Sequence, residues 1–229
     1  MSNQNQEMYK AERGHNYLLN FPSLNLTMYE IPKCGSSSVK KYLLSLNRKS
    51  PHPLQFGLGH ANWRYLFPEA VVHDLKDINP NGKKLIIIRD PVSRIKSGYG
   101  HIYSNLMKEK LPISGFFESF YHEALSSARN NVPRNHFKPQ HWFFPAKLLD
   151  DPETLFWPTS KLAELPDALS EFCGCGRYKE MPRINETRKA FGEIDMTDTE
   201  IRSALIPTCE QDFDAYEKAM TSATNWENQ

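Results

Sequence analysis

The chain has 229 residues, of which 39% are hydrophobic and 24% charged, and its formal net charge is +1. This composition is that of an ordinary globular protein, and one domain of the α/β type is the expected organisation at this length. The near-zero net charge argues against nucleic acid or an anionic membrane as the main partner, so any anion site should be local.

The N-terminal segment is polar and contains no apolar stretch of the kind found in a signal peptide. We therefore expect a loosely held lead-in at residues 1–20, followed by a single domain at residues 21–229 without membrane insertion. The four cysteines form no Cys-x-x-Cys pair. We interpret them as reduced thiols of a cytoplasmic protein.

The first strand–loop–helix unit begins with a short strand predicted at residues 26–31, which ends at Pro32. From Ser36 onward the pattern becomes that of an amphipathic helix, with apolar side chains at Val39, Tyr42, Leu43 and Leu46. The connecting sequence, residues 32–38, reads Pro-Lys-Cys-Gly-Ser-Ser-Ser. A loop in this position presents backbone N–H groups at the positive end of the helix dipole.

This first loop has the chemistry of a phosphate or sulfate site. Lys33 adds a positive charge, Gly35 allows close approach of the backbone, and the serines add hydroxyl donors at Ser36, Ser37 and Ser38. The GxxxxGK[ST] spacing of the Walker A loop, which binds nucleoside triphosphates, is missing. A serine-rich loop can also cap a helix without binding a ligand, and the sequence leaves both interpretations open.

Cys34 lies inside this loop, which raises the possibility of a cysteine phosphatase. That chemistry needs an arginine to close the anion loop, and Lys40 stands where it would be required. We interpret Cys34 as a small packing residue rather than a nucleophile.

The second unit has a continuous apolar run at residues 85–88, typical of a strand buried on both faces. Asp90 is predicted to cap the next helix, with Pro91 at its first position. Arg89, at the strand end, can bind a phosphate in bidentate fashion, although it can also pair with Asp90 or another carboxylate. Two such units predict a P-loop-like α/β fold, in which helices flank a parallel sheet in a three-layer sandwich.

Later elements follow the same reasoning. A helix is predicted near residues 115–130, a strand near 154–158 and a helix near 161–172. Thr197 and Glu200 form a capping box that starts a final helix. We assign the many aromatic residues at 116–121 and 142–157 mainly to the core.

The two loops together carry a specific resemblance. A strand followed by PKxGSSS, with a later strand followed by RDPxxRxxSxY, resembles the PAPS-dependent sulfotransferases, and most of all the carbohydrate-type branch that includes heparan sulfate 2-O-sulfotransferase. Residues 135–141, 185–189 and 210–214 are also similar to later segments of that family. Cys209 stands where an aromatic residue is more usual.

The resemblance implies that the donor is PAPS (3′-phosphoadenosine 5′-phosphosulfate). The first loop would hold its 5′-phosphosulfate, while Arg89 and Ser97 would hold its 3′-phosphate. The nucleotide-binding residues are then expected to be Lys33, Cys34, Gly35, Ser36, Ser37, Ser38, Arg89, Ser97, Arg188 and Lys189.

In the expected reaction, Lys33 stabilises the charge that develops on the leaving phosphate oxygen, and no metal is required. A hydroxyl acceptor needs a base, and histidine is suited to this at neutral pH. We favour His60, which matches a Gly-His segment of the family between the two loops, with His141 and His136 as second choices. His60 can also be a surface or capping residue.

Two alternatives stay open at this point: a magnesium-dependent kinase on the same fold, and a non-catalytic module that binds a nucleotide or sulfated glycan. We expect a glycan or small-molecule acceptor and no nucleic-acid partner. We also expect a cytoplasmic enzyme of bacterial or viral origin. Which acceptor is used, whether an oxygen or a nitrogen is sulfated, and the oligomeric state do not follow from the sequence.

Overall fold

A computed structural model describes residues 18–46, 70, 78–103, 111–126, 132–175, 181 and 193–227. Within these ranges a four-stranded sheet has the order β1-β2-β3-β4, which is also the chain order. Its strands are β1 (Leu18–Phe21), β2 (Leu26–Tyr29), β3 (Lys83–Ile88) and β4 (Thr154–Pro158). The pair β1–β2 is antiparallel, whereas β2–β3 and β3–β4 are parallel.

The parallel pairing determines where the two predicted loops lie. Strand β2 is in register with β3 from Leu26 opposite Lys83 to Tyr29 opposite Ile86. The carboxyl ends of neighbouring parallel strands meet at one edge of a sheet, so the segments after β2 and β3 are neighbours. In the structure a helix already begins at Ser36, so the first loop is residues 31–35, and we call residues 89–90 the second loop.

Helices flank the sheet, and several follow directly from local sequence. Asp90 accepts a hydrogen bond from the Ser93 N–H at 2.8 Å, which confirms it as the cap of the helix that begins at Pro91. The capping box before the last helix is also confirmed, because the Thr197 N–H donates to Glu200 Oε2 at 2.7 Å. The helices are α1 (Ser36–Leu46), α2 (Pro91–Gly98), α3 (Ile113–Phe116), α4 (His122–Ser126), α5 (Val132–Asn135), α6 (Leu165–Cys173) and α7 (Asp198–Glu227).

Shorter turns complete these helices. Single π-helical turns, Tyr99–Tyr103 and Phe117–Tyr121, extend α2 and join α3 to α4. The 3₁₀ turns are Pro22–Leu24, Gln140–Phe143, Ala146–Asp150 and Thr159–Lys161. Helix α7 is kinked at Cys209, two residues after Pro207, which removes a helical hydrogen bond.

The predicted strands and helices are confirmed, with shifts at their ends. Strand β2 ends at Tyr29, earlier than predicted, and the helix predicted near 161–172 begins only at Leu165, after a 3₁₀ turn. Strand β1 was not predicted. It starts at Leu18, within the stretch expected to be a polar lead-in, because pairing with β2 buries its apolar side chains.

Among the residues that the structure describes, the buried side chains form two clusters. One packs the sheet against α1, α6 and the C-terminal part of α7, and the other joins α2, α3 and α4 to the N-terminal part of α7. The aromatic residues assigned to the core are buried, as predicted: Phe116, Phe117, Phe120, Tyr121, Trp142, Phe143, Phe144, Phe156 and Trp157. Among the helices described here, none combines the length and the apolar character that a membrane span needs.

Candidate anion-binding site

The first loop has an unusual backbone that glycine and lysine together provide. Gly35 has φ +70° and Lys33 has φ +69°, both in the left-handed region. A side chain at Gly35 would also place its Cβ 2.8 Å from Leu162 Cδ1. Glycine avoids both the steric contact and the backbone strain, whereas the left-handed conformation at Lys33 costs about 1–2 kcal/mol.

This backbone leaves donors available at the start of α1. The N–H groups of Ser38 and Val39 donate to the Gly35 carbonyl at 3.0 and 3.3 Å, so Gly35 precedes the first helical turn. Within the described part of the chain, the N–H groups of Ser36 and Ser37 have no hydrogen-bond partner. Unpaired N–H groups at a helix N-terminus favour an anion.

Arg89 connects the second loop to the first. Its Nη1 donates to the Lys33 carbonyl at 3.2 Å, so the two loops are in direct contact. Among the described residues Arg89 has no ion-pair partner, and the carboxylate of Asp90 is instead used to cap α2. The alternative that Arg89 merely pairs with Asp90 is therefore not what the structure shows.

Positive charge is concentrated at this contact. Partial burial, followed by the charges of Arg89 and Arg94, lowers the pKa of Lys33 to about 8. Burial likewise lowers the pKa of Arg89. Lys33 has no carboxylate partner among the described residues. A bound anion would relieve this repulsion, so the arrangement is suited to a ligand with negative charge.

Arg94, on α2, was not identified from the sequence as part of this region. It is only 2% exposed, and its Nε donates to the Pro32 carbonyl at 3.0 Å while Nη1 donates to the Lys138 carbonyl at 2.8 Å. The guanidinium thus links the first loop to the backbone of Lys138. Arg94 is the second arginine of the RDPxxR pattern, so the motif itself could have drawn attention to it. Its partners lie 62 and 44 positions away, and the sequence does not predict such contacts.

A glutamine side chain reaches both loops and was also missed. Gln140 Oε1 accepts hydrogen bonds from the Cys34 thiol and the Arg89 N–H, both at 3.0 Å, and its Nε2 donates to the Arg89 carbonyl at 2.8 Å. The backbone N–H of Gln140 in turn donates to Asp212 Oδ2 at 2.6 Å. Gln140 and Asp212 lie in residues 135–141 and 210–214, two of the segments that resemble the sulfotransferases, but the resemblance assigned no role to either residue.

Cys34 behaves as a packing residue in the structure. Its side chain is fully buried, and burial raises the pKa of its thiol to about 11. A thiol in this state is neutral at pH 7 and is a poor nucleophile. Lys40, which stands where a phosphatase would need arginine, forms an ion pair with Glu30 at 2.7 Å.

The other residues predicted to bind the nucleotide or to act as the base do not all fall within the described part of the chain. Ser97 is half-buried near the C-terminal end of α2, on the same element that begins beside Arg89. His60, Arg188 and Lys189 lie outside the described residues, so their predicted roles stay predictions. Among the described residues, no three His, Cys, Asp or Glu side chains lie close enough together to hold a metal ion.

His141, a second choice for the base, has a defined partner. Its Nδ1 lies 2.8 Å from Asp212 Oδ1, and its backbone N–H donates to the same oxygen at 2.8 Å. A carboxylate at Nδ1 favours the tautomer with the proton on Nδ1, which leaves the Nε2 lone pair available. By contrast, His101 and His122 are exposed.

A known protein family matches most of the chain. The model of a family described as "Sulfotransferase family" matches residues 17–219, which include every strand and both loops. Neither a curated protein nor a solved structure matches the chain at a significant level.

Proposed function

The chain belongs to the sulfotransferase family, and we propose that it transfers a sulfuryl group from PAPS to a hydroxyl or amine of a carbohydrate or small molecule. The family match supports sulfuryl transfer in general, and the choice of donor rests on the site. The main support is the contact of Arg89 Nη1 with the Lys33 carbonyl at 3.2 Å. Two neighbouring anion loops suit a nucleotide that has anionic groups on both sides of its ribose.

The available donors are consistent with this ligand. Lys33 and the N–H groups of Ser36 and Ser37 would hold the 5′-phosphosulfate, with the rest of the predicted first-loop residues around it. Arg89 and Ser97 would hold the 3′-phosphate. We propose that Arg188 and Lys189 contact the same nucleotide, as the resemblance implies.

PAPS supplies an activated sulfuryl group on a phosphate leaving group. Lys33 and the helix N-terminus would stabilise the negative charge that grows on the leaving oxygen, and both loops would hold the donor in line with the acceptor. Because these cations belong to the protein, our proposal includes no metal. His60 would accept the proton of a hydroxyl acceptor, and His141, with Nδ1 held by Asp212, is the alternative.

Within the family, we propose the carbohydrate-type branch. This rests on the PKCGSSS and RDPVSRIKSGY sequences and on the Gly-His pair at residues 59–60. A reducing compartment such as the cytoplasm is also proposed, because all four cysteines are free thiols.

The first experiment measures nucleotide binding. We expect adenosine 3′,5′-bisphosphate to bind the wild-type protein and Arg89→Ala to weaken this binding about 10- to 100-fold, as expected for loss of a charge-assisted hydrogen bond. Lys218→Ala is the matched control, since it removes one exposed cation that pairs with Asp150. Binding of ATP with magnesium but not of the bisphosphate would contradict the proposal and favour a kinase.

A second experiment measures transfer. The protein is incubated with sulfur-labelled PAPS and a panel of glycans and small hydroxyl or amine compounds, and products are detected by mass spectrometry. Transfer of the label identifies the acceptor class. Tight binding of the bisphosphate with no transfer to any acceptor would instead point to a non-catalytic module.

A further inference from the structure

Gln140 occupies the position of a sheet neighbour just beyond the end of β3. The last pair of the β3–β4 ladder is Ile88 with Pro158, and the next residue, Arg89, is bonded through both its N–H and its carbonyl to the Gln140 amide. The side chain thus satisfies both backbone groups of Arg89 where β4 no longer does. It is completely buried, so water cannot replace these bonds.

The same amide reaches the first loop. Gln140 Oε1 is shared between the Arg89 N–H and the Cys34 thiol, each at 3.0 Å. Cys34 lies between Lys33 and Gly35, the two residues with left-handed backbone. One oxygen atom therefore contacts both loops that hold the cationic side chains.

Gln140 is itself fixed by the last helix. Asp212, only 1% exposed on α7, accepts hydrogen bonds from the backbone N–H groups of Gln140 at 2.6 Å and His141 at 2.8 Å. These bonds anchor the 3₁₀ turn Gln140–Phe143 to a long helix. The amide is held from its backbone, independently of the loops it contacts.

We propose that Gln140 is a positioning residue that sets the spacing between the two anion-binding loops. The inference rests on the proposed function in one respect, namely that a single bisphosphate nucleotide occupies both loops. A two-site ligand gains affinity only when both sites have the matching separation. Gln140 would therefore affect a ligand with two phosphates more than a ligand with one.

The test compares two ligands in Gln140→Leu, whose side chain is apolar, has no hydrogen-bonding atoms and is one carbon shorter than that of glutamine. For the wild type we expect adenosine 3′,5′-bisphosphate to bind more tightly than adenosine 5′-phosphate. In Gln140→Leu we expect this preference to fall about tenfold, with the affinity for the monophosphate changed less than about twofold. Equal weakening of both ligands, or no change in either, would overturn the proposal.

Tyr121→Phe serves as the control for loss of a buried hydrogen bond. The Tyr121 hydroxyl lies 3.1 Å from Thr208 Oγ1, and Tyr121 belongs to the hydrophobic cluster that contains no residue of either loop. Thermal unfolding of both variants checks that they fold. Should Gln140→Leu not fold, Gln140→Glu replaces it, because a protonated Glu can donate to the Arg89 carbonyl and an ionised one cannot. At pH 8 its preference for the bisphosphate should be smaller than that of the wild type, and a preference equal to that of the wild type would overturn the proposal.

Hydrogen exchange separates this inference from the choice of nucleotide. Without any ligand, Gln140→Leu should speed amide exchange in peptides covering both loops, residues 31–38 and 86–93, while Tyr121→Phe should not. Faster exchange in both loops supports the positioning role even if the wild type shows no preference for the bisphosphate, a result that would refute only the proposed function. Unchanged exchange, or a change in one loop alone, refutes the positioning role.

Discussion

The guanidinium of Arg89 donates a hydrogen bond to the backbone carbonyl of Lys33, with 3.2 Å between Nη1 and the oxygen. Fifty-six positions separate these residues in the chain. Their contact brings two positively charged side chains to one edge of the sheet. Burial, and after it the charges of Arg89 and Arg94, lowers the pKa of Lys33. The first prediction follows from that electrostatic coupling.

Nucleotide binding should depend on pH through Lys33. Its pKa of about 8 means that the ammonium is mostly charged at pH 7 and loses its proton as the pH rises through 8. We expect the affinity for adenosine 3′,5′-bisphosphate to fall over this range, and binding at pH 8 to take up roughly half a proton. Calorimetry in buffers of different ionisation enthalpy measures the uptake. Lys33→Met should bind more weakly at pH 7 and show no such uptake, and an equal uptake by both proteins would contradict the assignment.

The lowered pKa of Lys33 also makes the stability of the folded protein depend on pH. Because the folded-state pKa of Lys33 lies below its ordinary value of 10.5, the unfolded chain binds more protons between pH 8 and 10.5. The contribution of Lys33 to the free energy of unfolding should therefore become less unfavourable as the pH rises through this window. The free energy of unfolding of the wild type, relative to that of Lys33→Met, should therefore increase between pH 8 and 10.5.

Gly35→Ala tests the backbone of the first loop against a matched glycine. Gly35 and Gly174 both have positive φ, at +70° and +64°, but only at Gly35 would a Cβ approach another side chain closely. Each substitution should lower the free energy of unfolding by about 1–2 kcal/mol through backbone strain. Only Gly35→Ala should also weaken binding of the bisphosphate. Equal binding by the two variants would show that the loop tolerates the change.

The close contact at Gly35 can be tested separately. Shortening Leu162 removes the atom that an added Cβ would meet at 2.8 Å. The pair Gly35→Ala with Leu162→Ala should therefore be less destabilised than the sum of the single changes, as measured in a double-mutant cycle of denaturant unfolding.

Cys34 should be dispensable for chemistry. Burial raises the pKa of its thiol to about 11, so the thiolate is scarce at neutral pH. We expect Cys34→Ser to retain transfer activity within about tenfold and the native protein to resist iodoacetamide at Cys34. Complete loss of activity in this variant, with normal bisphosphate binding, would instead indicate a covalent role.

The identity of the base is tested by three histidine variants. We expect His60→Ala to lower kcat about 10²- to 10⁴-fold without weakening the bisphosphate, as for loss of a general base. His122→Ala, at an exposed position on α4, is the control and should be near wild type. A larger loss in His141→Ala, with normal His60→Ala, would transfer the role to the histidine held by Asp212.

Much of this architecture was predictable because its signals are local. Period-two and helical patterns separated β2 from α1, and Asp90 with Pro91 indicated the start of α2. The strand β1 was missed because its four residues have no such pattern and are stabilised by pairing with β2. Helix α6 began later than predicted, since a 3₁₀ turn precedes it.

The groups proposed to bind an anion are readable from adjacent residues in the amino-acid sequence: a lysine, a glycine and three serines before one helix, and an arginine before another. The N–H groups that are left unpaired at a helix N-terminus belong to consecutive residues, so they can be predicted from the local sequence. The way in which these groups are held together depends on the folded chain and could not be predicted from adjacent residues. Gln140, Arg94 and Asp212 act through hydrogen bonds to partners 44 to 106 positions away, and such bonds exist only once the parallel sheet has placed both loops at one edge.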